Sequence, residues 1–319
     1  MKTALAPYVR ILGRGANLSR SLTGDEAQDA MEITLRGDAA PEATGAMLML
    51  MRMKGETADE IAGFVRAARA TAAAQGHVAL DWPSYAAGRT RGLPWFLLSA
   101  KLVAMAGYPV LLHGWNSHQN PTASVRNALP VLNIPILDSA DFSELPGGIG
   151  YLPLETLSPA LFDLLRLRDA LGVRSCINTV LRVLNPTGAP ATVQGVFHPP
   201  YRELQMDAGQ ILGQQSMTVL KGGGGEFERH PGKDLALFGL RDGQAWDDTA
   251  PALSAQHVRL AEGSETSDPG ALAALWSGQL HDDFARAVVL GTADLALQTL
   301  GADITAAALW DERQQRKTA

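Results

Sequence analysis

The stretch Met217-Thr-Val-Leu-Lys-Gly-Gly-Gly-Gly-Glu-Phe-Glu228 joins a short apolar run to four consecutive glycines. The apolar run predicts a β-strand, and the glycines predict a loop directly after it. Strands that alternate with helical segments favour a mostly parallel sheet flanked by helices. We therefore predict an α/β domain over residues 76–319. Similar apolar runs, separated by segments with helical periodicity, occur at 110–112, 134–137, 192–197 and 235–238.

The first 75 residues have helical rather than strand patterns. Thr23 with Glu26, and Thr57 with Glu60, have the spacing of capping boxes at helix N-termini. Apolar residues behind the second box recur at i, i+3, i+4 and i+7, which indicates an amphipathic helix. We therefore predict a small all-helical domain over residues 1–75. A further helical segment at about 161–182 is expected to pack back on this domain.

The composition is that of an ordinary globular protein. The chain has 319 residues, a formal net charge of −6 and 46 % apolar residues. Its one cysteine, Cys176, excludes an intramolecular disulfide and favours a cytoplasmic location. No segment is apolar over the length that crosses a bilayer, so we expect no membrane partner. The acidic balance disfavours nucleic-acid binding by the whole surface but leaves open a local basic groove.

The glycine loop is the first candidate site. Backbone N–H groups of Gly222, Gly223, Gly224 and Gly225 can approach an anion closely, and Lys221 adds a positive charge. Glu226 and Glu228 offer carboxylate oxygens of the kind that bind Mg²⁺, the one cofactor that the sequence suggests. The spacing matches neither a phosphate loop nor a dinucleotide fingerprint. A flexible turn without a ligand is the alternative.

Two further polar loops lie where strand ends are expected. The first, His113-Gly-Trp-Asn-Ser-His-Gln-Asn120, follows a predicted strand, and ligands of such sheets bind at strand carboxyl ends. The second contains Gly88, Arg89 and Arg91, and arginine forks bind phosphate well. A structural histidine and solvated arginines are the alternatives. No G-x-S-x-G motif or zinc-ligand spacing is present, so the catalytic residues stay unassigned.

Several motifs, in order, resemble the anthranilate phosphoribosyltransferase family of glycosyl transferases. They include Lys54-Gly-Glu-Thr-Ala-Asp-Glu-Ile-Ala-Gly63, His113-Gly114 and Gly148-Ile-Gly150. The most specific is Arg168-Asp-Ala-Leu-Gly-Val-Arg-Ser-Cys-Ile-Asn178, which continues to Asn185-Pro186. The resemblance implies the nucleoside phosphorylase/phosphoribosyltransferase fold class. It also implies that Arg168 contacts the aromatic acceptor, with His113 and Asn178 on the same side.

The chain departs from the family pattern on the side of the phosphoribosyl pyrophosphate donor. The Gly-Thr-Gly-Gly-Asp loop is replaced by Tyr85-Ala-Ala-Gly-Arg-Thr90, and the Asn-x-Ser-Thr motif by Pro94-Trp-Phe-Leu97. Leu112 replaces the lysine before His-Gly, and Trp115-Asn116 follows that pair in place of Asn-Arg. The adjacent Asp-Glu pair that binds magnesium becomes Glu226-Phe-Glu228.

These departures resemble a paralogous branch of the family that keeps the fold, forms homodimers and binds nucleic acid. In that interpretation Arg229, His230 and Lys233 contact nucleic-acid phosphates, together with Lys221, Arg89 and Arg91. Dimerisation is expected through the N-terminal helical domain.

The sequence supports two main hypotheses. The first is a family member without the usual transfer activity that binds nucleic acid or a nucleotide-like anion. The second is an active phosphoribosyltransferase with Mg²⁺ held by Glu226 and Glu228 and an aromatic acceptor held by His113, Arg168 and Asn178. A purely structural dimer partner is a third and less supported alternative.

Overall fold

The N-terminal part of the chain forms helices, as the capping and periodicity predict. The structure is a computed structural model that describes residues 3–86, 92–115, 123–255, 258–260, 262–264 and 267–315, apart from the side chains of Ala16, Gln314 and Gln315. Both capping boxes are present, with Thr23 and Thr57 each accepting from the backbone N–H three residues on. The five helices are α1 (Ala6–Gly13), α2 (Gly15–Leu18), α3 (Gly24–Leu35), α4 (Pro41–Lys54) and α5 (Ala58–Thr71).

A seven-stranded sheet follows, which confirms the predicted α/β class. The strand order is β3-β2-β1-β4-β5-β6-β7, with β1 to β5 parallel and β6 and β7 antiparallel at one end. The strands are β1 (Leu80–Ser84), β2 (Val110–Gly114), β3 (Ile149–Pro153), β4 (Ala191–Val196), β5 (Ser216–Lys221), β6 (Leu235–Arg241) and β7 (Gln244–Ala250).

One predicted strand is wrong. Residues 134–137 form an irregular segment that lies beside β3, with Ile136 in an isolated bridge to Tyr151. Pro135 lacks the N–H that a regular ladder needs, and Asn133 before it has a left-handed backbone at φ 53°. Apolar composition alone did not reveal these two interruptions.

Nine more helices cover the sheet within the described residues. None of the described helices is long and apolar enough to cross a membrane. The nine helices are α6 (Phe96–Met105), α7 (Val125–Ala128), α8 (Leu154–Leu157), α9 (Pro159–Leu171), α10 (Ile177–Val183), α11 (Tyr201–Ile211), α12 (Gly270–Ser277), α13 (Asp283–Thr299) and α14 (Ala306–Gln315).

The two faces of the sheet are buried in two separate cores. In β2, Val110 and Leu112 pack with α6 and α13, whereas Leu111 packs on the opposite face with the N-terminal helices. This alternation is what a strand covered on both faces requires. The core on the Leu111 face also contains residues of α9 and α10, and α10 packs against both α5 and α9. The Arg69 guanidinium strengthens this contact by donating to the Leu184 carbonyl over 2.7 Å.

Candidate functional site

The carboxyl ends of the parallel strands bring the predicted loops to one edge of the sheet. Gly195 in β4 packs so closely on the segment after β5 that an added Cβ would lie 2.0 Å from the Glu226 carbonyl carbon. Gly114 packs equally closely on β1, with its added Cβ 2.0 Å from the Ser84 oxygen. The carboxyl ends of β1 and β2 are therefore tightly packed on each other, as are β4 and the segment after β5.

The glycine loop is a tight turn rather than an open cradle. The Gly222 N–H donates to the Val196 carbonyl over 3.2 Å, and the Gly225 N–H donates to the Gly222 carbonyl over 3.1 Å. Gly224 and Gly225 have φ values of 65° and 95°, which favour glycine. The prediction that all four glycines offer amides to an anion is therefore corrected for Gly222 and Gly225. Lys221 at the end of β5 is exposed.

Glu226 and Glu228 are buried and turned toward protein groups. The Glu226 carboxylate accepts from the Ser84 hydroxyl and the Ala86 N–H, each over 3.0 Å. The Glu228 carboxylate accepts from the Phe96 N–H over 3.0 Å, at the first turn of α6. Both side chains have 0 % exposure.

These carboxylates do not fit the magnesium site predicted for them. A Mg²⁺ ligand must present oxygens to a cation that keeps several waters, and neither carboxylate is accessible to such a cation. Among the residues that the structure describes, no three His, Cys, Asp or Glu side chains form a group that could hold a metal. The metal prediction for Glu226 and Glu228 is corrected, because both carboxylates are fully buried; Glu226 Oε1 accepts from groups at the end of β1, and Glu228 Oε2 accepts from the first turn of α6.

Two of the three predicted nucleic-acid contacts point into the protein. Arg229 is buried, donates through Nη2 to the Pro251 carbonyl over 2.6 Å, and donates its backbone N–H to Thr292. His230 accepts from the Gly232 N–H at Nδ1 and donates from Nε2 to the Val258 carbonyl. Both predictions are therefore corrected, whereas Lys233 is exposed and its contact with nucleic acid stays a prediction.

His113 is also a buried structural residue. Its Nδ1 lies 2.9 Å from the Tyr85 hydroxyl, and its Nε2 lies 3.1 Å from Asp81 Oδ1. Asp81 in turn accepts from the Thr192 hydroxyl over 2.8 Å. Because His113 has 0 % exposure and both ring nitrogens face protein groups, the prediction that it contacts an acceptor is corrected. Gly88, Arg89 and Arg91 lie outside the described residues.

The remaining acceptor-side residues, Arg168 and Asn178, line one cavity of about 410 Å³. This volume is within the range of about 300–1,000 Å³ that small-molecule sites occupy. The cavity lies between α10 with the turn that precedes it, the carboxyl end of β4, and residues of α4, α9 and α11. We call it the arginine cavity; it is lined by Arg52, Arg168, Asp169, Gly172, Val173, Arg174, Ser175, Asn178, Thr179, Arg182, Val196, Phe197, His198, Tyr201 and Gln205.

The most buried of the four arginines is Arg182, on α10. Only 7 % of it is exposed, and its guanidinium donates to the Tyr85 carbonyl over 2.6 Å and to the Asn178 carbonyl over 3.2 Å. Burial lowers the pKa of Arg182 to about 10; Glu226 opposes this shift and Arg174 adds to it. Its Nε has no hydrogen-bond partner among the described residues.

The other arginines come from two distant parts of the chain. Arg168 and Arg174 flank the turn between α9 and α10, and Arg52 reaches it from α4 by donating to the Arg174 carbonyl over 2.7 Å. Burial lowers the pKa of Arg174, and the charges of Arg168 and Arg52 lower it further. Tyr201 completes this wall and donates to Glu56 over 3.1 Å.

Sequence reasoning found part of this cavity and missed part of it. The resemblance pointed to Arg168 and Asn178. Arg174 and Arg182 follow Arg168 within fifteen residues, and this clustering of arginines was a usable signal in the sequence. Arg52 and Tyr201 carried no signal, because only the packing of α4 and α11 brings them to the cavity.

Comparison with known protein families gives a broad assignment of the chain. Residues 6–72 match the helical bundle domain of the glycosyl transferase family. This match covers the helices α1 to α5. The chain therefore combines a helical bundle of the glycosyl transferase family type with a large α/β domain.

Comparison with individual proteins identifies the family within this class. The anthranilate phosphoribosyltransferase of Rhizobium rhizogenes is 30 % identical over 318 residues, which cover 90 % of this chain and 92 % of the relative. That of Rhodopseudomonas palustris is 32 % identical over 229 residues, covering 70 % of this chain and 68 % of the relative. The crystal structure of the Thermus thermophilus enzyme matches with a TM-score of 0.77 at 22 % identity, over 98 % of this chain and 94 % of that one. The chain belongs to the anthranilate phosphoribosyltransferase family.

Proposed function

We propose that the protein is a phosphoribosyltransferase whose acceptor is a small aromatic acid bound in the arginine cavity. The observation that carries the proposal is the cavity itself, which combines Arg168 and Asn178 with the buried guanidinium of Arg182. Relatives at 30–32 % identity are named anthranilate phosphoribosyltransferases, and anthranilate is an aromatic acid.

The cavity has the two kinds of surface that an aromatic acid needs. A guanidinium pairs with a carboxylate through two parallel N–H···O bonds, which fix its orientation as well as its position. Phe197, His198 and Tyr201 supply ring surfaces to the lining of the cavity. Arg168 would hold the acid group, and the Asn178 amide would accept from or donate to a ring substituent.

The donor side of the proposal rests on the loops at the sheet edge. The yeast anthranilate phosphoribosyltransferase, solved in complex with PRPP and Mg, shares the fold with a TM-score of 0.74 at 14 % identity, over 99 % of this chain and 94 % of that one. For the present chain we place the donor phosphates near Gly88, Arg89 and Arg91, with Lys221 at the end of β5. Glu226 and Glu228 do not fit a metal ion, so the proposal assigns them no part in binding the donor.

Nucleic-acid binding has less support in the described structure. Arg229 and His230 make internal hydrogen bonds, which leaves Lys221 and Lys233 as the exposed cations among those predicted contacts that the structure describes. Exposed apolar side chains on the N-terminal helices support homodimerisation through these helices. Leu18 on α2 and Met53 on α4 are 74 % and 84 % exposed.

A binding titration tests the acceptor half of the proposal. Anthranilate is titrated calorimetrically into the wild-type protein and into Arg168→Met. We expect binding to weaken at least tenfold in the variant, because the neutral side chain cannot pair with the carboxylate.

Arg166→Met is the matched control. It removes the same charge from the same helix, but Arg166 is 55 % exposed and does not line the cavity. Equal losses in both variants would contradict the proposal, as would a wild-type protein that binds neither anthranilate nor any other small aromatic acid.

A further inference from the structure

The arginine cavity carries more positive charge than one carboxylate neutralises. Its described lining contains four arginines and one acid, Asp169, so the balance of these side chains is +3 with His198 neutral. Asp169 is a weak counter-charge, since its side chain is 60 % exposed and lies 3.9 Å from both Arg166 and Arg168. One monoanion would leave two charges of this excess uncompensated.

Arg182 is the arginine whose burial makes the excess positive charge of the cavity most destabilising. Its guanidinium donates to the neutral carbonyls of Tyr85 and Asn178, and no carboxylate among the described residues lies within ion-pair distance of it. A buried cation with only neutral partners loses hydration that those partners replace incompletely. Glu226 is near enough to raise its pKa, but burial still outweighs that effect.

The remaining arginines add repulsion rather than relief. Arg174 is half-buried, and the charges of Arg168 and Arg52 both disfavour its protonated form. The side chains that bring these charges together come from α4 and from the turn between α9 and α10. Such convergence of like charges in a partly dry cavity is stabilised by a multiply charged anion.

We propose that the acceptor carries two acid groups: a compact aromatic dianion rather than the monoanion anthranilate. This inference rests on the proposed function, because it assigns the ligand of the same cavity. One acid group would pair with Arg168, on the more accessible side of the cavity. The second would lie against Arg182 and compensate its buried charge.

The test compares three aminobenzoate probes in the full chain. Anthranilate carries one carboxylate, whereas 3-aminophthalate and 2-aminoterephthalate add a second one beside or opposite the first. We expect at least one dianion to bind the wild type tenfold or more tightly than anthranilate. Its affinity should also fall more steeply as salt rises, because more charge is neutralised.

Variants connect that preference to named residues. Arg182→Gln should reduce the dianion-to-anthranilate affinity ratio at least fivefold, while Arg166→Met should leave the ratio unchanged. Arg174→Gln, at a less buried position, supplies the same comparison if Arg182→Gln does not fold. Thermal melting identifies a folding defect before any titration is interpreted.

The outcomes separate this inference from the proposed function. If anthranilate binds as tightly as both dianions, the dianion inference is wrong and the proposed function stands. If a dianion binds preferentially but is never phosphoribosylated, the cavity assignment stands and the transferase proposal is wrong. If none of the three acids binds, both are wrong.

Discussion

At the scale of single residues, charged side chains near the sheet edge support the backbone of the neighbouring elements. Glu226 holds Ser84 and the Ala86 N–H, and Glu228 holds the Phe96 N–H. The first turn of a helix carries unsatisfied N–H groups and a partial positive charge, so a carboxylate there stabilises it. The same two residues that suggested a metal site in the sequence therefore anchor α6 and the end of β1.

Glu228 provides a direct test of this structural role. Glu228→Ala leaves the buried Phe96 N–H without its acceptor and should lower the free energy of unfolding by about 1–3 kcal/mol. Glu228→Gln keeps an acceptor oxygen and should lose less. Urea unfolding of the three proteins measures both differences.

The effect of Mg²⁺ on melting temperature distinguishes a structural Glu228 from a metal-binding one. With Glu228 in a structural role, Mg²⁺ should not raise the melting temperature of the wild type more than that of Glu228→Gln. A Mg²⁺-dependent rise that the variant abolishes would show that Glu228 is a metal ligand.

At the scale of elements, close backbone contacts rather than side-chain bulk fix the loops at the sheet edge. Gly195→Ala in β4 would drive its Cβ into the Glu226 backbone and separate β4 from the segment after β5. We expect a loss of at least about 1–3 kcal/mol in unfolding free energy, as overpacking of a rigid site usually costs.

Gly45→Ala is the control for that substitution. An added Cβ there meets only the Leu171 side chain at 3.9 Å, inside helix α4. Alanine is the better helix former by about 0.5–1 kcal/mol, so this variant should be more stable than the wild type. Equal effects of the two substitutions would show that the contact of Gly195 with the Glu226 backbone does not constrain the loop.

The N-terminus of α3 gives the fold a defined acid sensitivity. The pKa of Glu26 falls to about 2, chiefly because Arg20 hydrogen-bonds its carboxylate, against an ordinary value of 4.5. The folded state thus binds the proton more weakly than the unfolded chain does. The stabilisation is complete above about pH 4.5 and is lost as the pH falls toward 2.

Glu26→Gln removes this titration and so isolates it. The difference in unfolding free energy between wild type and Glu26→Gln should shrink as the pH falls from 5 toward 2.5, measured by urea unfolding at each pH. A difference that does not change with pH would contradict the ion pair between Arg20 and Glu26. Because the pair is surface-exposed, high salt should reduce the difference as well.

At the scale of the whole molecule, the helical layer both completes the cavity and exposes apolar side chains. If the N-terminal helices form a homodimer interface, replacing Leu18 and Met53 by glutamate should shift the protein from dimer to monomer in light scattering. Ile304→Glu, at another exposed apolar position near the C-terminus, is the control and should not change the mass. A monomeric wild type at micromolar concentration would contradict the dimer.

The sequence predicted the architecture better than the site. The helices and strands depend on residues close together in the chain, whereas the site depends on residues that only the fold brings together. Capping boxes and apolar periodicity are local, so α3, α5 and most strands were predictable from their own residues. The direction of a polar side chain depends on its surroundings in the fold. His113 lies near the end of β2 and Glu226 follows β5, as the apolar runs predict, but their polar atoms face protein groups.

In the arginine cavity, a sequence motif predicts the residues that lie close together in the chain but not the distant one. Arg168 and Asn178 were predicted through a motif, and Arg182 lies a single turn of helix further along. Arg52 lies more than a hundred residues earlier, and only the packing of α4 against the turn after α9 adds it to the cavity. No local pattern records such a contact.

Acceptor-dependent release of pyrophosphate from phosphoribosyl pyrophosphate, in the presence of Mg²⁺, tests the central claim most directly. Wild-type protein is supplied with anthranilate, 3-aminophthalate or 2-aminoterephthalate and compared with Arg168→Met and Arg166→Met. We predict release that requires one of these acids, is lost in Arg168→Met and is kept in Arg166→Met. Absence of acceptor-dependent release from the wild type, or equal release by Arg168→Met, would contradict the assignment of the arginine cavity as the acceptor site of a transferase.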